Sequence, residues 1–313
     1  MNAKYPRPAS LAEGVGLARH TTMGVGGDAR YFFVAEDSAG LKEALLWAKG
    51  EGLKVFILGN GSNVVVADEG VEGLVIILGR GFRAHDLDAN GVVTAGAATM
   101  MPVLARLGVE RGFPDFLFMS GIPGSIGGGV LMNAGAEGAD LSAIVEWVEY
   151  VTPEGEAIRL TKEEISFSYR RSSLLELEGV VVTYVGLKSS LAPVSTEECE
   201  SIVREFIEKR RARQPRIGRN SGSIFKNPLS KVAGASSPIS GLSAGALLDR
   251  AGMKGVRVGG AEISNEHANW IVNHGGATGE DVRELIGIAK RRVSELYGVE
   301  LEREVILWPE DIS

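Results

Sequence analysis

The sequence predicts an α+β fold rather than a regular alternation of strand and helix, on three observations. Short strand-like runs (54–58, 64–67, 74–78, 92–96, 144–151 and 180–187) follow one another with few helical patterns between them. A glycine loop, Gly59-Asn60-Gly61-Ser62-Asn63, follows a strand as a dinucleotide fingerprint would, but its third glycine is missing. It runs into Val64-Val65-Val66-Ala67, β-branched chain suited to another strand and not to a helix opening on a phosphate. That excludes the doubly wound reading, yet leaves a loop able to hold a phosphate from between two strands. Finally, six glycines fall between Gly121 and Gly135, more than a helix or strand interior favours, which predicts a long loop.

Taken in order, residues 20–34 form a glycine turn feeding a short apolar strand. Asp37 or Ser38 caps a helix with Leu41, Leu45 and Ala48 on one face, ended by Gly50 and Gly52. Lys54 to Leu58 is a compact apolar strand. Thr99 opens a helix through Val103, Leu104 and Leu107, stopped by Gly112. Ile144 to Val151 alternates as a half-buried strand does. Thr161 with Glu164 forms a capping box for one short turn. After a hinge at Ala192-Pro193, Ser195 with Glu198 caps a helix burying Ile202, Val203, Phe206 and Ile207. Thr278 and Asp281 open a last helix with Val282, Leu285, Ile286, Ala289, Val293 and Leu296 on one side, closed by Gly298. Leu301 to Trp308 reads as a strand.

Composition narrows the function. At 313 residues the chain is long enough for two or three domains. A net charge of −7 argues against a general nucleic-acid binder, whose footprint would be basic. No run reaches a membrane-spanning length, and the N-terminus lacks the apolar core of a secretory signal. The single cysteine, Cys199, permits no internal disulfide and suits a reducing cytoplasm; on a helix it reads as an apolar filler. Four histidines without zinc-site spacing give no reason to expect a metal.

The central stretch is suited to a dinucleotide. Backbone N–H groups freed by glycine make a concave site for a pyrophosphate, and Ser120, Ser125 and Asn133 can add hydrogen bonds. Three further segments carry reactive groups: Tyr169-Arg170-x-Ser172, Ser221-Gly-Ser-Ile-Phe-Lys-Asn-Pro228, and Leu301-Glu-Arg-Glu-Val305. An arginine can grip a carboxylate with two parallel hydrogen bonds, a glutamate in a closed site can serve as an acid, and a serine can hand over a proton. Each segment alone fits a surface ion pair, a turn or an edge-strand charge better than a catalytic role. The basic run Lys209 to Arg213 either complements a helix dipole or attracts a phosphorylated ligand.

From about His20 to the C-terminus the chain resembles the UDP-N-acetylenolpyruvoylglucosamine reductase family. The resemblance rests on Thr22-Met-Gly-Val-Gly-Gly27, Leu58-Gly-Asn-Gly-Ser-Asn63, Gly121-Ile-Pro-Gly-Ser-Ile-Gly-Gly128 and Met132-Asn-Ala-Gly135. It continues through Tyr169-Arg170-x-Ser172, Gly222-Ser-Ile-Phe-Lys-Asn-Pro228, Ala244-Gly-x-Leu-x-Asp249, Gly259-Gly-Ala261, His267-Ala-Asn269 and Glu304-Val305. Each motif is weak alone, but their common order is specific.

The resemblance implies an FAD-binding fold of the vanillyl-alcohol oxidase type followed by a C-terminal α+β substrate domain, with parts at 1–68, 69–192 and 193–313. It implies non-covalent FAD, NADPH as co-substrate, and reduction of the enolpyruvyl ether of UDP-N-acetylenolpyruvoylglucosamine for peptidoglycan synthesis, by a cytoplasmic monomer. Arg170, Ser223 and Glu304 are its implied catalytic residues. FAD is implied at Gly59, Asn60, Gly61, Ser62 and Asn63 and at Ser120, Gly121, Ile122, Gly124, Ser125, Ile126, Gly128, Asn133, Ala134 and Gly135; Tyr169, Lys226 and Asn227 are implied at the substrate. Asn60 stands where the family often has glycine. The short span between Arg170 and Ser223 leaves no room for the tyrosine-bearing loop of one subgroup, so the chain is similar to the subgroup without it.

Overall fold

The computed structural model describes residues 5–215, 218–228 and 241–311. Its chain divides into two units: Met1–Val15 with Ala29–Asn60 and Glu72–Arg210, and Gly16–Asp28 with Gly61–Val71 and Arg211–Ser313.

The first unit holds two sheets. One has four strands in the order Ala12–Gly16, Asp28–Ala35, Val71–Leu78, Lys54–Ile57, the last two parallel. The other has five antiparallel strands in the order Ala157–Thr161, Val145–Val151, Val181–Lys188, Val92–Gly96, His85–Leu87. Along Val145–Val151, Val148 and Tyr150 enter the core on one parity, and register shifts at Val145/Trp147 and Glu149/Tyr150 accompany the burial of Val145 and Val151 as well. Helix α1 (Ser38–Gly50) starts where the Asp37 carboxylate accepts from Gly40 N at 2.8 Å, and it buries Leu41, Leu45 and Ala48. Helix α2 (Met101–Arg111) begins two residues later than Thr99, with Met100 at the cap and Pro102 in its first turn. It ends at Gly112, whose φ of 79° a side chain would disfavour. One core joins these helices to both sheets, with Phe82, Phe116, Leu104 and Val185 almost wholly buried.

The glycine stretch departs from expectation. Ile126–Leu131 is a short helix, α3, with three glycines in its interior. The reason is packing. A Cβ on Gly127 would lie 2.7 Å from Ala97 Cβ, and one on Gly129 2.8 Å from Met101 Sδ. Glycine therefore lets this helix press against the sheet and α2 at backbone distance, a gain that offsets its poor helix propensity.

Helix α4 (Thr196–Arg213) starts with Glu198 N donating to Ser195 Oγ. Of its expected apolar face, Cys199 is buried, but Ile202, Val203, Phe206 and Ile207 are only half-buried.

In the second unit, strands Arg257–Val258, Ala261–Ile263 and Ile271–Asn273 form an antiparallel sheet. Val64–Val66 pairs in parallel with Ile306–Trp308, so the strand expected over 301–308 shrinks to its last three residues. The core joins Ala244, Leu247 and Leu248 of α5 (Ala244–Arg250) to Val282, Leu285, Ile286, Ala289 and Val293 of α6 (Gly279–Tyr297). Leu296, expected on that face, is instead exposed. The N-terminus of α6 is capped twice. Asp281 N donates to Thr278 Oγ1 at 3.0 Å, and Asp68 accepts from Gly279 N and Glu280 N at 2.7 and 3.0 Å. Among the described residues no helix is long and apolar enough to cross a membrane.

Candidate active site

In the first unit the two glycine segments meet. Asn60 Nδ2 donates to Pro123 O at 2.9 Å, and a Cβ on Gly59 would stand 2.8 Å from Ser125 Oγ. Ser120 Oγ is buried with no hydrogen-bond partner among the described residues. Gly121 lies under Arg210 of α4; a Cβ there would meet the Arg210 side chain at 3.1 Å. Arg210 has no ion pair among the described residues, and burial draws its guanidinium below the usual arginine range, against the opposing charge of Glu137. A dinucleotide diphosphate fits this donor set: glycines for close approach, an unsatisfied buried hydroxyl, and a desolvated cation. Gly128, on the open side of α3, has room, since its Cβ would be 3.6 Å from Ser125 Oγ. Ile126 is buried beneath, Ile122 half-buried, and Gly124 O accepts from Met101 N.

Asn133 differs from expectation. It is buried at φ 41°, with Nδ2 donating to Ser168 O and Oδ1 accepting from Ser142 N, both at 3.0 Å. Its carboxamide serves the protein, tying the end of α3 to the hairpin that carries Arg170. Ser172 Oγ adds a second tie, donating to Leu131 O at 2.9 Å. The hairpin pairs Ser168 with Arg171, leaving Tyr169 and Arg170 as a two-residue loop. Arg170 takes φ 57°, where a glycine or asparagine is usual. Its guanidinium donates to Gly135 O at 3.0 Å and lies 5.2 Å from the half-exposed Tyr169 ring. Ala134 N, donating to Gly129 O, continues the same backbone.

The chain enters the second unit at Gly61, whose φ is 62° and whose Cβ would strike His20 O at 2.3 Å. Here the structure brings two expected catalytic residues together. Glu304 N donates to Ile224 O at 2.8 Å and Lys226 N to Glu302 O at 2.9 Å, with Phe225 bridged to Arg303. The backbone of Glu304 is thus zipped to the residue after Ser223. Asn63 Nδ2 donates to Glu304 O at 3.0 Å from the other side, and Gly222 approaches Ser62 O. Asn269, buried, clamps the serine segment: its Oδ1 accepts from Phe225 N and its Nδ2 donates to Phe225 O, while its own carbonyl accepts from Ile224 N. Gly222, at φ 78°, presents the half-buried Ser223. Lys226 is largely buried and paired with Glu302, and Asn227 Oδ1 accepts from Ala244 N at the start of α5. Arg170 belongs to the first unit, Ser223 and Glu304 to the second.

Sequence reasoning named the basic stretch from Lys209 as a candidate for a phosphorylated ligand but did not separate Arg210 from its neighbours, and it missed the positioning part of Asn63 and Asn269. Only long-range hydrogen bonds reveal these. Arg216 of the same basic stretch lies outside the described residues.

Comparisons with known proteins match both parts of the chain. A profile described as UDP-N-acetylenolpyruvoylglucosamine reductase, C-terminal domain, matches residues 214–308, and one described as FAD binding domain matches residues 29–161. The UDP-N-acetylenolpyruvoylglucosamine reductase of Heliobacterium modesticaldum is 41% identical over 92% of this chain and 88% of its own length. Reductase 2 of Symbiobacterium thermophilum is 38% identical over 96% of this chain and 93% of its own. The crystal structure of the Thermus caldophilus enzyme superposes with a TM-score of 0.77 at 36% identity, covering 96% of this chain and 98% of that one.

Proposed function

The chain belongs to the UDP-N-acetylenolpyruvoylglucosamine reductase family, and from that premise we propose how its own residues carry the reduction of UDP-N-acetylenolpyruvoylglucosamine to UDP-N-acetylmuramate. It is an FAD-containing, NADPH-dependent oxidoreductase of peptidoglycan precursor synthesis. When bound, FAD supplies the two-electron relay, taking hydride from NADPH and passing it to the enolpyruvyl double bond. The protein holds that group with the Gly59 and Gly121 loops, the Ser120 hydroxyl and Arg210. Ser62, Asn63 and Gly135 complete the loops.

Negative charge then develops on the carboxylate side of the substrate's double bond. A preorganised electrophile aimed there is often the largest single catalytic contribution. We assign this to Arg170 with a protonated Glu304, with Tyr169, Lys226 and Asn227 on the substrate. Ser223 donates its hydroxyl proton to the substrate carbon next to the carboxylate. The observation that carries these roles is the backbone zip of Glu304 to Ile224, which holds the segments of the acid and the proton donor side by side in one unit. The division at 1–68, 69–192 and 193–313 is proposed as the functional one. It is supported by the profile matches, which fall on either side of its second boundary. A cytoplasmic monomer is the proposed form.

The test is kinetic. Wild-type protein should oxidise NADPH in a manner dependent on the enolpyruvyl substrate; oxidation without that dependence would refute the activity. In Ser223→Ala, NADPH should bleach the flavin at close to the normal rate, while reoxidation by substrate nearly stops. Equal slowing of both halves in rapid mixing would remove the proton-donor role and make Ser223 a positioning residue.

A further inference from the structure

A cleft of about 710 Å³ opens in the second unit, lined by Arg19, Thr21, Thr22, Gly218, Arg219 and Asn220. Its size is in the range of about 300–1,000 Å³ usual for small-ligand sites. Among the described residues no carboxylate lines it. The exposed side chains of Arg19 and Arg219 both reach it, with no side-chain hydrogen bond or ion pair among the described residues. Two arginines on one cleft give it a positive potential that favours an anion there.

The walls are built rather than loose. Thr22 Oγ1 donates to Asn220 O at 2.6 Å and Thr22 N to Gly61 O at 3.0 Å, so both sides are joined across distant sequence. Arg219 N and O pair with Asn273, a buried residue whose Nδ2 donates to Met23 O. The Arg219 side chain lies across Gly24, where a Cβ would come within 2.4 Å of its guanidinium nitrogen. Any other residue at Gly24 would therefore displace it. The positive field is felt by a neighbour: burial, and then the charge of Arg19, lower the pKa of His20.

We propose that this cleft is a diphosphate subsite, taking the pyrophosphate of one of the two nucleotide reactants. The geometry selects that class because planar guanidinium forks match phosphate oxygens with paired, charge-assisted hydrogen bonds. The cleft also connects to the proton donor, since Asn220 Oδ1 accepts from Gly222 N at 3.2 Å, one residue before Ser223. An occupant gripping this wall steadies the serine loop at the moment of reaction. The identity of the nucleotides rests on the function proposed above; the anion site does not.

The experiment titrates holoenzyme with inorganic pyrophosphate by calorimetry, in wild type, Arg19→Ala, Arg219→Ala and the remote surface variant Arg292→Ala. Flavin content and melting temperature confirm that each is folded. Saturable binding should weaken about 10-fold or more in each cleft variant, the loss of one charged hydrogen-bonding group. It should be unchanged in Arg292→Ala, and weaker in higher salt for wild type. Steady-state kinetics then distinguish the sources. A raised KM for NADPH alone assigns its pyrophosphate to the cleft, and a raised KM for the UDP-sugar alone assigns that of the substrate. Pyrophosphate binding that is unaltered in both cleft variants, or two unchanged KM values, overturns the proposal. Failure of the proposed function would appear differently, as wild-type flavin that NADPH does not bleach, with the pyrophosphate titration unaffected.

Discussion

Arg170 occupies a backbone conformation that its side chain resists. At φ 57° a non-glycine residue costs about 1–2 kcal/mol relative to glycine. The neighbouring contacts hold it there: Asn133 on Ser168 O, Ser172 on Leu131 O, and its own bond to Gly135 O. A residue chosen for folding alone would be glycine or asparagine, so the strain argues for a need for the guanidinium itself. Arg170→Gly should therefore uncouple stability from catalysis. Relief of the strain and loss of the hydrogen bond are of similar size, so unfolding free energy should stay within about 1 kcal/mol of wild type. By contrast, kcat should fall by about 10²–10³, as for removal of one electrostatic group acting in the transition state. Denaturant melts and turnover on the same samples check this; a variant equally stable and fully active would end the assignment.

At the scale of elements, α3 has two kinds of glycine, and they predict opposite failures. Gly127 faces Ala97 with no space for a Cβ, so Gly127→Ala should force the helix off the sheet and lower the melting temperature. Gly128 faces outward, where a Cβ would make only an ordinary contact with Ser125 Oγ at 3.6 Å, and an alanine in a helix is worth about 0.5–1 kcal/mol over glycine. Gly128→Ala should thus keep or raise apoprotein stability while weakening FAD binding, measured as bound flavin after desalting. Unchanged flavin content in Gly128→Ala would mean that this face does not meet the cofactor. The same element marks how far the sequence could be read. Caps were legible because they are local: Asp37, the Thr161–Glu164 and Thr278–Asp281 boxes, and the stops at Gly112 and Gly298 all lie where spacing places them. Helix α3 was not legible, because what permits three glycines in a helix is Ala97 and Met101 arriving from elsewhere in the chain. The strand at 301–305 failed for a related reason. Those residues pair with the Ser223 segment through a few backbone bonds rather than a continuous ladder. The serine and glutamate motifs were legible as residue types, but their adjacency depends on Asn63 and Asn269, whose hydrogen bonds no spacing rule anticipates.

At the scale of the whole molecule, the loss of stability between pH 7 and 5 should centre on the second unit, because the two histidines with displaced pKa values, His20 and His267, both belong to it. His267 is held below the usual histidine value of 6.5 chiefly by burial, opposed by a backbone hydrogen bond, with Lys254 adding to the shift and Asp249 opposing it. Its ring packs against Gly245 of α5, and its Nδ1 accepts from Asn269 N at 3.1 Å, which requires that nitrogen to be unprotonated. For both groups the folded chain binds fewer protons than the unfolded chain just below pH 6.5. Stability therefore rises with pH through that window and is lost as the pH falls below about 6.5. Protonating His267 would also break the bond to Asn269, the residue that clamps Ile224 and Phe225 beside Ser223. Denaturant midpoints should fall between pH 7 and 5, and His267→Gln should flatten that fall while lowering the midpoint at pH 7. A midpoint that stays constant from pH 7 to 5 in wild type, or the same slope in His267→Gln, would show that neither histidine governs the acid limb.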